Sequence, residues 1–502
     1  MSNTNEPAHS NTAETPTAAR KSAVGAALRK VVPVDGVLSQ DEELRPYECD
    51  GLTAFRQMPL AVVLPRTEAE IFEILSICRR LDVPVVARGS GTGLSGGAMP
   101  HASGVVLSLA RMNQIIDVDP LARTARVQPG VRNLQVSEAA APHGLYYAPD
   151  PSSQIACSIG GNVAENSGGV HCLKYGLTVH NVMRVRGYTV DGELLELGSG
   201  ALDNPGLDLL ALAIGSEGLL MVVTEITVKL VPRPQVAQLV MASFDDVAKA
   251  GDAVAAIIAA GIIPAGLEMM DQKATVAVEP FVKAGYDLDA QAILLAEADG
   301  TPEEVADQVA EIEQVVRQCG ATAVTVSRSE AERLRFWSGR KNAFPAAGRV
   351  SPDYYCMDGT IPRKNLGHML RAIEQMEQSH ALRCMNVFHA GDGNLHPLIL
   401  FDANVPGEWE RADRFGAQIL ELCVQLGGTI TGEHGVGIEK INSMCVQFSP
   451  RERAAFFGVK RAFDPAGLLN PGKAIPTLAR CAEYGKMHVR RGALPHPDIP
   501  RF

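Results

Sequence analysis

Short apolar runs separated by turn residues fill residues 50–235, and this pattern predicts a domain of strands with few helices. Two pairs of runs alternate like hairpin strands: Ile115–Val118 with Thr124–Gln128, and Val182–Thr189 with Leu194–Leu197. The other elements predicted here are strands at Ala61–Leu64, Val83–Ala87, Val105–Leu109 and Met221–Leu230, and helices at Glu68–Leu81 and Val131–His143.

Strand and helix patterns alternate from Val236 onwards, after a break at Pro232 and Pro234. This alternation predicts a second, cap-like domain in which a sheet carries helices on one face. Its strands are predicted at Val236–Ala242, Ile262–Met270, Gln291–Glu297 and Thr322–Ser327, and its helices at Asp245–Ala260, Gln272–Lys283 and Pro302–Gln318. We divide the chain into a first domain (23–234), the cap (235–440) and a C-terminal segment (441–502) that is expected to return to the first domain.

Length, composition and net charge limit the number of domains and the kinds of partner that this chain is expected to have. A chain of 502 residues needs more than one hydrophobic core, and residues 1–22 have the Ser, Thr, Asn and Ala content of a disordered tail. The net charge of −11 argues against nucleic acid or anionic lipid as a direct partner. No apolar run approaches the roughly 18–20 residues of a membrane span. Ten cysteines lack clustered spacings, so we expect reduced thiols, a cytoplasmic location and no iron–sulfur cluster held by this chain.

A glycine-rich loop follows the strand Val83–Ala87. Residues 89–97 contain five glycines and two serines, and such a loop can turn successive backbone N–H groups towards a diphosphate. Gly91–Gly96 also matches G-x-G-x-x-G, but a dinucleotide-binding turn requires a helix directly afterwards, and the strand Val105–Leu109 follows instead. A phosphate-binding loop between strands is therefore favoured, with a plain glycine-rich turn as the alternative.

A second irregular region contains Pro149–Ser153 and Gly160–Gly169, and it is rich in small and hydrogen-bonding residues. A loop of this length inside a compact domain is usually functional, and its small residues would allow a flat ring system to approach closely. A mobile surface loop is the alternative interpretation.

Two histidines flank the stretch Gly391–Asn394, which we interpret as the four-residue turn of a hairpin. In this register Ala390 opposes Leu395 and His389 opposes His396, with their Cβ atoms roughly 5 Å apart. Two imidazoles on one face can chelate one divalent cation. A hydrogen-bonded histidine pair on an ordinary hairpin is the alternative.

The glycine-rich stretch Gly427–Gly437 adds a carboxylate, Glu433, and a further imidazole, His434. Two histidines and a carboxylate with an open position suit a catalytic metal. Arg340 lies beside another irregular stretch, Ala343–Met357, and could make a bidentate contact with a substrate carboxylate. A solvated surface cation is the alternative for Arg340.

The loops of the first domain together resemble those of the vanillyl-alcohol-oxidase (PCMH-type) FAD-binding domain, over about residues 50–235. The resemblance implies that the first loop holds the diphosphate and the second faces the flavin. No histidine lies between Arg88 and Pro100, where many members attach FAD covalently, so we expect noncovalent FAD. The implied FAD contacts are Arg88, Gly89, Ser90, Gly91, Thr92, Gly93, Pro149, Asp150, Ser152, Ser153, Gly160, Gly161, Asn162, Asn166, Gly218, Glu225, Ile226 and Asn470.

The second half resembles the FAD-linked D-2-hydroxyacid dehydrogenases. This group includes D-lactate and D-2-hydroxyglutarate dehydrogenases and the flavin-binding D component of bacterial glycolate oxidase, which the run from Arg340 to Pro362 resembles most. The hydroxyglutarate enzymes have a threonine and a lysine where this chain has Phe344 and Cys356, which counts against a second substrate carboxylate. The motifs that carry the resemblance are His389-x6-His396, Glu433-His434-Gly435, Trp337-x-x-Arg340 and Asn470-Pro471-Gly472-Lys473.

The resemblance implies an α+β fold, with a PCMH-type FAD-binding domain and a cap of antiparallel sheet plus helices. It also implies oxidation of a short 2-hydroxy acid, glycolate or D-lactate, by hydride transfer to flavin N5. Arg340 would anchor the substrate carboxylate, and His434 would take the hydroxyl proton. A divalent metal, Zn or Mn, would be held by His389, His396 and Glu433.

The same resemblance implies partners for electron transfer. We expect a second flavin-type subunit and an iron–sulfur subunit, with peripheral association at the inner face of the cell membrane through them. The alternatives are a D-lactate or D-2-hydroxyglutarate dehydrogenase that acts alone, and a non-catalytic flavin relay subunit. An NAD dehydrogenase is disfavoured because no helix follows Gly96.

Overall fold

The computed structural model describes residues 18–201 and 206–476 and confirms the predicted α+β fold class. The helices of the first domain are α1 (Ala18–Leu28), α2 (Asp41–Leu44), α3 (Glu68–Arg80), α4 (Asn133–Ala140), α5 (Ile159–Glu165), α6 (Cys172–Tyr175), α7 (Thr178–Asn181) and α8 (Leu209–Ala213). Its strands are β1 (Val37–Leu38), β2 (Ala61–Val63), β3 (Val85–Arg88), β4 (Val105–Ser108), β5 (Ile115–Asp119), β6 (Thr124–Val127), β7 (Leu145–Tyr146), β8 (Val182–Tyr188), β9 (Leu194–Gly198), β10 (Val222–Lys229) and β11 (Val231–Pro232).

Two larger sheets and a two-stranded ribbon, β7 with β11, build the described part of the first domain. A four-stranded sheet has the order β1-β2-β4-β3, and a five-stranded antiparallel sheet has the order β5-β6-β10-β8-β9. Helix α3 begins with the predicted capping box, in which Thr67 accepts from the Glu70 N–H and Glu70 reaches back to the Thr67 backbone. The glycine loop leaves the end of β3, so its position is set by a buried strand.

The cap contains one seven-stranded antiparallel sheet of order β15-β12-β14-β13-β17-β18-β16. Its strands are β12 (Val236–Phe244), β13 (Gly266–Asp271), β14 (Ala292–Gly300), β15 (Ala323–Val326), β16 (Asp353–Cys356), β17 (Arg383–Phe388) and β18 (Pro397–Phe401). The remaining helices are α9 (Val247–Ala259), α10 (Gln272–Val282), α11 (Pro302–Gln318), α12 (Glu330–Lys341), α13 (Ala343–Val350), α14 (Leu366–His380), α15 (Glu408–Gln425), α16 (Met444–Gln447) and α17 (Pro450–Phe463).

The prediction that helices cover one face of this sheet is wrong. Val240 and Ala242 of β12 pack with α9, α11, α14 and α15, whereas Leu239 and Met241 pack with α10, α12 and α13. Because successive side chains of a strand point to opposite faces, both faces of the sheet are apolar and both are covered. These strands lack polar alternation, which is usual for strands that are buried on both faces.

Two further predictions need correction. Residues 18–22 of the expected tail begin α1, whose Val24 and Leu28 are buried against Ile71 of α3; residues 1–17 lie outside the described residues. The second irregular region contains a helix, α5, which is capped by the hydroxyl of Ser158.

The last described residues lie against the first domain. Asn470 donates its backbone N–H to the Val85 carbonyl (2.8 Å), and Leu469 forms a parallel bridge with Val85. The exact domain boundaries stay a prediction. None of the helices in the described residues has the length and apolar character needed to cross a bilayer.

Candidate functional site

One cavity of about 410 Å³ runs from the glycine loop of the first domain to the histidines of the cap; we call it the flavin cavity. At the first-domain end its wall is formed by the predicted FAD contacts Arg88, Gly89, Ser90, Gly91, Thr92, Gly93, Ser152, Ser153, Gly160, Gly161, Asn162 and Gly218. At the cap end the wall is formed by Lys341, Phe344, Pro345, His396, Glu433 and His434. The two predicted sites therefore share one space.

The other predicted FAD contacts lie away from this wall. Asn133 bonds the Pro149 carbonyl, Asp150 bonds His171, and the Asn166 side chain accepts from the Val179 N–H. Glu225 lies 3.7 Å from Arg126, and Ile226 is buried in the core of the first domain. Asn470 donates to the carbonyls of Gly97 and Glu217, so it fixes two of the cavity's loops to each other.

The loops of the cavity approach each other so closely that only glycine fits at some positions. The resulting wall is lined by backbone and suits a flat cofactor with a diphosphate. A Cβ on Gly89 would lie 2.3 Å from the Ser158 hydroxyl, and a Cβ on Gly160 would lie 2.6 Å from the Cβ of Pro129. Gly91 adopts a φ of +72°, which glycine tolerates at little cost. This backbone-lined cradle suits FAD, while its noncovalent attachment and its individual contacts with FAD stay predictions.

Four cap residues form a compact group, the metal-site cluster: His389, His396, Glu433 and His434. The Glu433 Oε1 lies 3.3 Å from the Nε2 atoms of both His389 and His396. The His396 ring stacks on the His434 ring, with centroids 4.8 Å apart. One ligand atom from each of His389, His396 and Glu433 lies within 4.8 Å of the others, which is close enough for one cation to contact all three.

The predicted hairpin register is wrong, although the rings do meet. His389 pairs with Asn394, and Asn386 pairs with Pro397, so His396 does not oppose His389 directly. The N–H groups of Asp392 and Asn394 both donate to the His389 carbonyl and close a tighter turn than predicted. The two imidazoles lie on one face as diagonal neighbours, with centroids 5.0 Å apart.

The residues present fit a cation. Both ring nitrogens of His396 and the Nδ1 of His434 are buried without a hydrogen-bond partner among the described residues. Burial opposes ionisation of Glu433, but His389, His396 and His434 lower its pKa to about 2. For His389 burial also opposes the charged form and so would lower the pKa of the ring. The carboxylates of Glu268 and Glu433 outweigh this effect and raise that pKa to about 10. A carboxylate flanked by imidazole nitrogens that lack hydrogen-bond partners is a donor set that suits a divalent cation.

His434 has the properties of a proton acceptor. Burial lowers the pKa of its ring, so the imidazole is neutral at neutral pH. Glu433 and His434 are held by Asp358, whose carboxylate accepts the backbone N–H groups of Gly432 (3.0 Å), Glu433 (3.1 Å) and His434 (2.9 Å). Burial opposes ionisation of Asp358, but His434, His396 and Lys440 keep its pKa well below the usual value.

Arg340 is not part of the cavity wall. It is buried, its Nε donates to Glu268 Oε2 (2.6 Å), and its Nη2 lies 3.4 Å from the ring of His389. The other oxygen of Glu268 lies 2.7 Å from His389 Nδ1, which directs His389 Nε2 towards Glu433. The expected contact of Arg340 with a substrate carboxylate stays a prediction.

Sequence reasoning missed three acidic residues that organise the site: Glu268, Asp358 and Glu217. Glu217 accepts the N–H groups of Val436 and Gly437 (2.7 Å each) and joins the cap's glycine-rich loop to the first domain. A signal was present for Glu268, because it is the single charge in the apolar run Gly266–Met270. Such a buried charge requires a partner, so it marks an ionic site.

Two family profiles match the chain. One described as "FAD linked oxidases, C-terminal domain" covers residues 233–474, and one described as "FAD binding domain" covers residues 59–198. Among solved structures, 4-ethylphenol oxidase from Gulosibacter chungangensis aligns with a TM-score of 0.78 at 16% identity, covering 93% of this chain and 99% of that one. p-Cresol methylhydroxylase aligns with a TM-score of 0.77 at 18% identity, covering 92% and 98% of the two chains. These structures confirm the PCMH-type fold.

Curated relatives are similar over most of their length. Glycolate oxidase subunit GlcD of Escherichia coli (strain K12) is 62% identical over 95% of both chains. The protein of that name from Bacillus subtilis (strain 168) is 40% identical over 86% of this chain and 93% of its own. D-lactate dehydrogenase of Anaerostipes hadrus is 30% identical over 87% and 94%. The resemblance seen in the sequence is confirmed, and the chain belongs to the FAD-linked oxidases, within the hydroxyacid dehydrogenase and oxidase group that includes these glycolate oxidase proteins.

Proposed function

We propose that this chain oxidises a short 2-hydroxy acid, glycolate or D-lactate, to the 2-oxo acid. The observation that carries the proposal is the continuous flavin cavity, which joins the glycine loop to the metal-site cluster. The 62% identity to a glycolate oxidase subunit supports glycolate as the preferred acid.

Two bound groups would supply the reactive chemistry. When bound, FAD supplies the acceptor for the hydride that leaves C2 of the acid. When bound by His389, His396 and Glu433, a divalent cation such as Zn²⁺ or Mn²⁺ supplies Lewis acidity that lowers the pKa of a hydroxyl group.

The chain's own residues would position the acid and move its proton. His434 Nδ1 has no partner among the described residues and its ring is neutral, so it can accept the hydroxyl proton in the metal-site cluster. Glu268 holds the His389 ring in place, and Asp358 holds the backbone of Glu433 and His434. Two of the three proposed ligands, His389 and Glu433, are thus held by carboxylates that are not part of the cavity wall.

The cavity wall favours a small acid. Phe344 lines the cavity, and its ring centroid lies 6.2 Å from that of His396, so an apolar surface closes this end of the site. Cys356 is buried in the cap core and is not part of the wall. The substrate's only carboxylate would therefore be the one attached to C2.

A steady-state screen of short 2-hydroxy acids with an artificial electron acceptor tests this function, with metal analysis of the same sample. Turnover with glycolate or D-lactate, and about one divalent cation per chain, is the expected result. Absence of turnover with every acid in a flavin-replete, metal-replete sample would refute the proposed function.

The FAD is proposed to be noncovalent. The histidine-free loop at residues 89–97 supports this, because the attachment residue used by many members of the superfamily is absent. Acid precipitation should release all the flavin into the supernatant. Flavin retained on the pellet would contradict the proposal.

We also propose that electrons leave through partner subunits, a second flavin-type subunit and an iron–sulfur subunit. Similarity to proteins named as subunits of glycolate oxidase supports partners of some kind. Cytoplasmic location with peripheral membrane association belongs to this proposal. Mild isolation of the tagged chain from its host should copurify iron and acid-labile sulfide, whereas a lone chain that turns over at full rate with O₂ would overturn it.

A further inference from the structure

Glu165 places a carboxyl group in the wall of the flavin cavity, and this group takes no part in the proposed reaction. Glu165 is the last residue of α5, the helix that carries Gly160 and Gly161 along the same wall. Its Oε2 atom is buried and has no hydrogen-bond partner among the described residues. Leaving a buried polar atom without a partner costs free energy, so the position of Glu165 indicates that a bound group supplies one.

Two glycines make room for this carboxyl group where the first domain meets the cap. A Cβ on Gly97, at the end of the glycine loop, would lie 2.6 Å from Glu165 Oε1. A Cβ on Gly435, the residue after His434, would lie 2.0 Å from Glu165 Oε2. The carboxyl group therefore lies between the glycine loop and the loop that carries the proposed proton acceptor.

A second carboxyl group, that of Glu217, lies beside Glu165 and favours its neutral form. Glu217 Oε1 would lie 3.1 Å from the same Cβ on Gly435, so the two carboxyl groups are neighbours. Each oxygen of Glu217 accepts a backbone N–H of the cap's glycine-rich loop, which stabilises the charged form of Glu217. Burial and the negative charges of Glu217 and Asp50 raise the pKa of Glu165 well above its usual value. The proton shared by such a pair therefore belongs on Glu165.

Two buried lysines act on the same carboxyl group, but each is bonded elsewhere. Lys440 donates to Glu439 (2.7 Å), and Lys473 donates to Asn470 (2.6 Å), so neither lysine is hydrogen-bonded to Glu165. Their charges lower the pKa of Glu165 by less than burial and the neighbouring carboxylates raise it. A protonated carboxyl group has one O–H to donate, and a buried site can keep such a group neutral for that purpose.

We propose that Glu165, as a neutral carboxyl group, donates a hydrogen bond to a carbonyl oxygen of the bound flavin ring and so raises the reduction potential of the ring. This inference rests on the proposed function, because hydride transfer to N5 requires N5 and the neighbouring carbonyl to lie near His434, as Glu165 does. Reduction adds electron density to the carbonyl oxygens of the ring, so a donor there binds the reduced form more strongly. A carboxylate in the same place would have the opposite effect, because its negative charge opposes the added electrons.

The reduction potential of the flavin tests this role without any substrate acid. The purified holoprotein is reduced stepwise beside a dye of known potential, and absorption spectra give the ratio of reduced to oxidised FAD. The variants are Glu165→Ala, Glu165→Leu, which fills the space without a donor, and Glu165→Gln, which keeps one. Glu138→Ala is the control, because Glu138 is an exposed residue of α4 outside the wall of the flavin cavity. FAD content, metal content and thermal unfolding are measured for every variant.

We expect the ratio of reduced to oxidised FAD at a fixed potential to fall about tenfold in Glu165→Ala and Glu165→Leu, the upper end for one hydrogen bond. A tenfold change corresponds to a flavin potential that is lower by about 30 mV. The amide of Glu165→Gln can still donate, so its potential should stay close to that of wild type, and the potential of Glu138→Ala should be unchanged.

An unchanged potential in Glu165→Ala and Glu165→Leu would overturn the inference. A potential that rises in all three Glu165 variants would also overturn it, because removal of a carboxylate would have that effect. These outcomes are separable from failure of the proposed function, since the measurement uses no acid. If the wild type oxidises no 2-hydroxy acid but its flavin potential depends on the donor at Glu165, the hydrogen bond stands and the proposed reaction does not.

Discussion

Two groups of histidines and carboxylates lie in the region where the domains meet, and they differ in how fully their polar atoms are paired. In the first group, the seam cluster (His171, Asp150, Glu297), His171 lies 2.8 Å from Asp150 and 3.2 Å from Glu297, one contact for each ring nitrogen. Glu297 is also bonded to Arg333 and Trp337. In the metal-site cluster both nitrogens of His396 and the Nδ1 of His434 lack a hydrogen bond among the described residues; His396 Nε2 lies 3.3 Å from Glu433 Oε1 and 3.5 Å from Asp358 Oδ1 without hydrogen-bond geometry.

This difference separates a structural ionic group from a group built to bind something. Buried polar atoms are normally paired, and leaving one unpaired costs free energy. The seam cluster meets this requirement with residues of the chain and so joins the first domain to the cap. In the metal-site cluster the described residues leave such atoms unpaired, which is why we propose that this cluster binds a ligand.

The largest expected effect comes from His396→Ala. We expect turnover to fall about a thousandfold, because loss of a metal ligand removes several kcal/mol of Lewis-acid stabilisation. FAD content should be unchanged. Stopped assays with metal and flavin analysis provide the measurement, and His368→Ala, an exposed histidine of α14, is the control. Near-wild-type turnover in a flavin-replete His396→Ala sample would show that the reaction does not depend on the metal-site cluster, and the proposed difference between the two clusters would be wrong.

Glu268→Gln tests the support of a ligand rather than the ligand itself. An amide at this position could not pair with both Arg340 and His389 as the carboxylate does, so the His389 ring would be held less firmly. Metal affinity should therefore fall about 10–100-fold. Competition with a chelator measures this affinity. Excess metal should restore most of the turnover, which a merely misfolded variant would not show.

His171→Asn should act on stability and leave chemistry intact. We expect the free energy of unfolding to fall by about 2 kcal/mol, because Asp150 and Glu297 lose a buried partner. Turnover of the folded variant should match wild type. His380→Asn, which alters a ring bonded to the Gln418 amide, is the control. A large fall in kcat without a fall in stability would place His171 in the reaction.

The pH dependence of this stability follows from the same contacts. Burial lowers the pKa of His171, but Asp150 and Glu297 outweigh it and raise that pKa well above 6.5. Because the folded-state pKa is raised, the stabilisation is complete below the unfolded value of about 6.5 and is lost as the pH rises through the folded value. The stability gap between wild type and His171→Asn should therefore be larger in mildly acidic than in alkaline solution; a constant gap would contradict this.

The smallest effect is expected from Tyr175→Phe. Tyr175 donates to Asp299 (2.7 Å), which Lys174 also contacts, so the carboxylate keeps a partner when the hydroxyl is removed. We expect a loss of about 1 kcal/mol in the free energy of unfolding. Urea unfolding measures it, and a loss as large as that of His171→Asn would show that the seam depends on this bond more than its pairing suggests.

The sequence indicated which residues meet in the site better than it indicated how they are arranged. Glycine loops, a histidine on each side of a turn and the Glu433-His434 pair are local patterns, and each carries its own chemical meaning. The register between His389 and His396 was not predictable, because it depends on how the turn closes on the His389 carbonyl. Helix α5 was missed because Gly160 and Gly161 are poor helix formers, and packing of the helix in the core overrides that preference.

Residues that act through long-range contacts were also out of reach. Glu217 and Val436 are far apart in the chain, and nothing local indicates that they bond. Likewise, the apolar strands of the cap did not reveal that helices cover both faces, because strands of this kind and buried helices share an apolar pattern. Only the three-dimensional contacts separate a supporting carboxylate from a ligand.

The most direct measurement mixes the purified, metal-replete chain with glycolate in the absence of oxygen and follows the flavin absorption band. Reduction of FAD should bleach the band in wild type and in His171→Asn but not in His396→Ala. Bleaching of His396→Ala at the wild-type rate, or an unbleached wild type with every short 2-hydroxy acid, would contradict the assignment of the reaction to the metal-site cluster.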